Sequence, residues 1–145
     1  MAEGTIPTWT SFLLIAGVLL VGDYIWLGHV ARPMYDSLRL TLNPGRSIAS
    51  LPYRIPAAIV AYAFMILTLG WLVLPQVVGR TWQERLLRAI WWGGLWALAV
   101  YGVYDFTNYA IIEAFPLSTA LIDLAWGVFI GTLTAFISGT FTPAL

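Results

Sequence analysis

An all-α polytopic membrane protein, a bundle of four transmembrane helices, is the fold class this sequence predicts, and three observations predict it. Of its 145 residues, 60% are hydrophobic and 10% charged, against roughly 25% charged residues in an ordinary soluble domain. The mean hydropathy is +0.82. Apolar runs of helix length recur along the chain, each meeting the need of a bilayer core for about 20 residues. Little chain remains beyond them, so the reading is one transmembrane domain over residues 1–145.

The first span is expected over about residues 7–29, with Pro7 in the opening turn, where its missing N–H costs nothing. No arginine precedes the apolar run, unlike the basic start of a secretory signal, so the segment reads as a retained span. Pro33 should end it, because a proline disfavours helix at the residue before it. A short amphipathic helix follows over about residues 34–42, expected in the interface with Arg39 toward headgroups. Asn43-Pro44-Gly45 then reads as a turn.

The second span reads as about 53–78, with Pro75 near its far end. A third helix is expected from about Gln83 to Glu113, crossing the membrane over about 86–112. It is longer than a span requires and therefore tilted or projecting. Pro116 closes it, and the fourth span covers about 118–139, with Ser118 or Thr119 as its cap.

Composition removes several function classes. There is no cysteine, hence no disulfide, thiol catalysis or cysteine-held metal. The one histidine, His29, cannot build a multi-histidine metal site. All basic residues are arginine, so a Schiff-base or phosphate-loop lysine is excluded. A net charge of zero and the lack of any basic run argue against a nucleic-acid partner. The first connector carries Arg32, Arg39, Arg46 and Arg54 and the second Arg80, Arg85 and Arg88. That excess of one points the first connector to the cytoplasm, with Trp9, Trp82, Trp91 and Trp92 as an aromatic belt on the other side.

Alternating spans put the first and third connectors on one side of the membrane. Counting inward at 1.5 Å per residue, Asp23, Asp105 and Asp123 all fall roughly 7–12 Å inside that edge. Tyr62 of the second span reaches a similar depth. On the third helix Tyr101, Tyr104, Asp105 and Asn108 follow an i, i+3, i+4, i+7 spacing, which is one helix face. Lipid penalises each such group left unpaired, so they are expected to face one another inside the bundle. Trp26 and Trp126 each stand three residues after an aspartate. They are expected on the same faces as their own carboxylates, on the connector side of them, offering an indole N–H or a bulky wall. Gly127-x-x-x-Gly131 fits a small-residue helix contact.

The combination "DYIWLG", "YGVYDFTN", "FP" and "IDLAWG" resembles a bacterial domain-of-unknown-function family of small four-helix inner-membrane proteins, over nearly the whole chain. The resemblance implies a multi-pass location in the inner membrane and shared motif residues, here Asp23, Trp26, Tyr104, Asp105, Thr107, Asn108, Asp123 and Trp126. It implies no activity. Where the pattern leads one to expect tryptophan before the proline, this chain has Phe115, which keeps the aromatic bulk.

Three carboxylates in one layer exceed what helix glue needs, and in a low dielectric they cannot all ionise cheaply. The layer therefore reads as an off-centre polar pocket that binds, and by extension transports, a small or amphipathic molecule. Structural hydrogen bonding between helices is the plain alternative. Two other readings are an accessory subunit packing Trp-rich faces against a larger membrane complex, and a membrane-embedded lipid-modifying enzyme. Tyr104-Asp105 matches half of the intramembrane aspartyl protease motif, but the G-x-G-D half is missing. No catalytic residue or metal ligand is assigned, and the cofactor is unknown. The expected partners are the lipid bilayer, a small amphipathic ligand, and a larger complex or a second copy of the chain.

Overall fold

Thr8 opens the first helix through a reciprocal cap: its hydroxyl accepts from the Ser11 N–H at 3.3 Å, and Ser11 Oγ accepts from the Thr8 N–H at 3.2 Å. In the computed structural model, which describes residues 6–42, 44, 53–79 and 81–142, Pro7 therefore precedes the helix instead of lying in its first turn. This helix, α1, runs Trp9–Val30. Its last turn, Trp26–Val30, widens to π geometry, and the chain breaks at Ala31. The second helix, α2 (Arg32–Leu42), begins at Arg32 itself, with Pro33 in its first turn, where no N–H is required. Within the predicted turn, Asn43 and Gly45 lie outside the described residues.

The next three helices each have the length and apolarity to cross a membrane: α3 (Arg54–Val77), α4 (Trp82–Ile111) and α5 (Leu117–Phe141). Pro75 has a visible effect on α3. A proline lacks the N–H of its turn and crowds the carbonyl four residues back. The turn just before it, Leu69–Val73, is widened to π geometry, and the Leu74 N–H reaches back to the Leu69 carbonyl. In α4 the turn Ala89–Gly93 is widened likewise. Thr81 caps α4 by accepting from the Glu84 N–H at 3.2 Å. At α5 neither Ser118 nor Thr119 caps: the helix starts directly after Pro116, which supplies a preset φ of −76° and no side-chain acceptor.

Contacts between the spans give an up-down-up-down order. Ser11 near the start of α1 meets Thr142 just past α5, Oγ to Oγ1 at 3.0 Å. Trp96 of α4 donates to Thr68 Oγ1 of α3 at 2.9 Å. The short link between α3 and α4 is held by Arg85, which donates to the Gly79 carbonyl at 3.1 Å, and by Arg88, which donates to the Gln76 carbonyl at 3.4 Å while pairing with Glu84 of its own helix at 2.7 Å.

The apolar core fills the half of the bundle away from the first connector. Ile15, Leu19, Leu69, Leu74, Val77 and Ile130 are sealed there. Its tightest seam joins α4 and α5 through Gly93 and Ala97 on one helix and Gly131 and Ala135 on the other. A Cβ added at Gly131 would stand 2.9 Å from Ala97 Cβ and 3.0 Å from the Gly93 carbonyl oxygen. Helices in lipid gain by such close approach, because dispersion replaces the hydrophobic drive that water would supply.

A candidate site: the carboxyl layer

Along α1 the buried positions are Ser11, Ile15, Leu19 and Asp23, a line of four-residue steps on one helix face. Its apolar part belongs to the core and its last member, Asp23, carries the line into the polar half. The Asp23 carboxylate accepts from Tyr62 Oη of α3 at 2.8 Å and from Trp126 Nε1 of α5 at 2.7 Å. Each oxygen thus has a neutral donor from a different helix, so Asp23 pins three spans together.

Direction explains which tryptophan meets which aspartate. α5 runs opposite to α1, so Trp126 lies one turn deeper than Asp123, level with Asp23. The sequence-based placement on the connector side of Asp123 is corrected by that reversal. The two indoles stack with centroids 4.6 Å apart and planes 1° from parallel, and Trp26 is set beside Asp123. The two D-x-x-W segments are thus paired crosswise.

Asp123 accepts a hydrogen bond from the Tyr35 hydroxyl of α2. This residue was missed by sequence reasoning, which placed α2 in the interface only. The signal available was an aromatic residue on the apolar side of an amphipathic segment. Burial, and then the Asp123 carboxylate, push the Tyr35 phenol above its ordinary value, so it acts as a donor.

On α4, Asp105 is 0% exposed. No tyrosine, tryptophan or backbone N–H donates to either of its oxygens, and its hydrogen-bonding neighbour is the carboxyl of Asp123, a contact that needs a proton on one of the two. One turn earlier, Tyr101 pushes its ring against Gly127, where no side chain would leave room. Its hydroxyl lies among Asp23, Asp105, Asp123 and Tyr62, yet it is buried without a hydrogen-bond partner, as is the Trp26 indole N–H.

Of the residues singled out in the sequence, Asp23, Trp26, Tyr62, Tyr101, Asp105, Asp123 and Trp126 are brought together. Tyr104 and Thr107 are not. Tyr104 is 61% exposed, and Thr107 lines an outward groove with Gly102 and Phe106. Asn108, half-buried, lies beside the Tyr104 phenol. The buried line of α4 follows four-residue steps through Ala97, Tyr101 and Asp105, which turns position 104 about 100° away. Among the described residues no group of three or more His, Asp or Glu side chains is arranged to hold a metal ion.

Residues 8–140 match the family described as predicted membrane protein (DUF2177). The chain belongs to that family. The DUF2177 match runs from the Thr8 cap to the last turn of α5 and takes in every member of the carboxyl layer. No curated protein and no solved structure matches the chain. This DUF2177 protein is a multi-pass membrane protein of unknown function, and its layer holds two carboxyl environments of different chemistry. Asp23 receives one donor on each oxygen. Asp105 and Asp123 face each other in a low dielectric, and two such carboxylates repel unless a proton or a cationic group lies between them.

Proposed function

We propose that this protein binds a small or amphipathic molecule bearing a positive charge or several hydrogen-bond donors at the Asp105–Asp123 pair, in exchange for a proton held there. The observation that carries the reading is Asp105, fully buried with no donor from the rest of the protein, so that it faces only the carboxyl of Asp123. An acceptor left so is costly, about 1–3 kcal/mol or more for a charged group, and such a cost is tolerated where function uses it. The unpartnered Tyr101 hydroxyl adds one donor-acceptor to the layer, and the Trp26 N–H adds one donor on the Asp123 side. The stacked Trp26–Trp126 pair supplies an aromatic wall suited to a cation.

The inner membrane, implied by the family resemblance, is the location that belongs with this reading, because proton exchange gains direction from a membrane potential. Net transport is its extension. α2 closes the layer toward the interface through Tyr35 and Asp123, so release of that hydrogen bond is the opening step on the connector side.

Native mass spectrometry of protein purified in mild detergent tests the reading. An amine-bearing or otherwise cationic species that accompanies the wild type and is absent from Asp105→Asn supports it. Bulk phospholipid alone, identical in both proteins, contradicts it.

A further inference from the structure

The groove between α1 and α3 is separate from the carboxyl pair and has its own chemistry. Ala58, Ile59, Ala63 and Ile66 share one face of α3, and with Leu20 of α1 they line a groove of about 430 Å³. That volume lies within the roughly 300–1,000 Å³ range of small-molecule sites. Its floor is low because Ala58 and Ala63 are small. No carboxylate lines it, and its one charged lining residue is Arg54, at the first turn of α3.

Length identifies the occupant. From Arg54 to Ile66 the helix rises about 18 Å, close to half of a hydrocarbon core of about 30 Å. The groove therefore reaches from the interface to near the midplane, the depth of one leaflet's acyl chains. At its mouth a guanidinium matches phosphate oxygens in a two-pronged geometry. Arg54 already engages another group, and five N–H donors allow it to keep that contact and meet a phosphate as well.

We propose that this groove is a binding site for one acyl chain of an anionic phospholipid, whose phosphate rests on Arg54. The ring of Tyr62 forms part of the groove wall while its hydroxyl donates to Asp23. A bound chain consequently backs Tyr62 against the carboxyl layer and steadies α3 on α1. The site does not depend on what the Asp105–Asp123 pair binds.

The test is photolabelling of the full chain in phosphatidylcholine nanodiscs, with phosphatidylglycerol or phosphatidylcholine probes carrying a diazirine midway along one chain. The expected result is saturable labelling by the phosphatidylglycerol probe, concentrated around Leu20, Ala58 and Ala63. It should exceed labelling by the phosphatidylcholine probe about fivefold, the factor that one basic residue at a membrane surface is worth. Arg54→Gln should abolish that preference and Arg54→Lys should keep much of it. Ala63→Phe, which fills the floor, should remove the groove labelling. Even labelling of all lipid-facing helices, equal labelling by the two headgroups in the wild type, or a preference that survives Arg54→Gln would overturn the proposal. The headgroup comparison needs no variant, so misfolding of Ala63→Phe leaves it decisive.

Discussion

The two halves of the bundle solve helix association in opposite ways. Away from the first connector, α4 and α5 meet through Gly93, Ala97, Gly131 and Ala135, and Leu and Ile side chains fill the remaining space. Toward the first connector, the same helices meet through Asp105, Tyr101 and Asp123, with Trp26 and Trp126 stacked beside them. The first half depends on shape and leaves little room for change. The second depends on matching donors to acceptors, and the match is incomplete at Asp105. An assembly that needed glue alone would have extended the small-residue seam. The incomplete half is therefore where function is to be sought.

The largest effect is expected in the apolar half. Gly131→Leu drives a side chain into the Gly93 backbone and the Ala97 side chain. Rigid backbone cannot yield as a flexible side chain does, so the loss should be about 3 kcal/mol or more, seen as a collapse of the thermal transition in detergent. Retention of wild-type stability would break the claim that this seam is shape-limited.

Asp23→Leu comes next. It strands the Tyr62 hydroxyl and the Trp126 N–H, and a loss of about 2 kcal/mol is expected once the relief of burying one carboxylate fewer is set against it. Its partner test is a double-mutant cycle with Trp126→Phe. Coupling between Asp23 and Trp126, with none between Asp23 and Trp26, would sharpen the crosswise pairing of the two D-x-x-W segments.

That pairing marks the boundary of what the sequence made legible. Hydropathy and helix length were enough for the helical bundle and its four spans, and depth counting was enough to bring three aspartates and Tyr62 into one layer, with Asp123 about a turn nearer the connector than Asp23. Crosswise pairing was lost because a motif read from left to right carries no direction in space: the antiparallel turn of α5 exchanges the levels of aspartate and tryptophan. Tyr104 is grouped with the layer because a helix face read as i, i+3, i+4, i+7 is broad, whereas close packing at Gly127 narrows it to the line through Tyr101 and Asp105; Thr107 enters only as a motif residue of the family resemblance, and a shared motif does not say which way a side chain faces. Tyr35 escaped notice because an interfacial helix is judged by its amphipathicity, which does not say that one side chain reaches inward.

The smallest effect is expected at that tyrosine. Tyr35→Phe removes the hydrogen bond that ties α2 to Asp123, about 1 kcal/mol. Because α2 packs mainly beside the end of α1, the loss should appear as faster hydrogen exchange of the α2 amides with the melting temperature nearly unchanged. The pH dependence has a definite sign. The Tyr35 phenol is raised above its ordinary value by burial and by Asp123, so its contribution is complete below about pH 10 and declines as pH climbs above that value. Wild type and Tyr35→Phe should therefore exchange alike only at strongly alkaline pH. Equal exchange at neutral pH would show that α2 is not tied down by this bond.

The central claim is that two aspartates in one layer serve different ends: Asp23 holds the bundle together, and Asp105, given no donor but the proton it shares with Asp123, is kept for function. Thermal unfolding of Asp23→Asn and Asp105→Asn, measured side by side in the same detergent, tests it most directly. At Asp23 an amide keeps one acceptor oxygen and places an N–H₂ group against a donor, so stability should fall by about 1–2 kcal/mol. At Asp105 an amide supplies a donor to the facing Asp123 carboxylate, so stability should hold or rise, as it does when a strained functional group is relieved. A loss at Asp23 with none at Asp105 is the predicted result, and equal losses in the two variants would contradict the account.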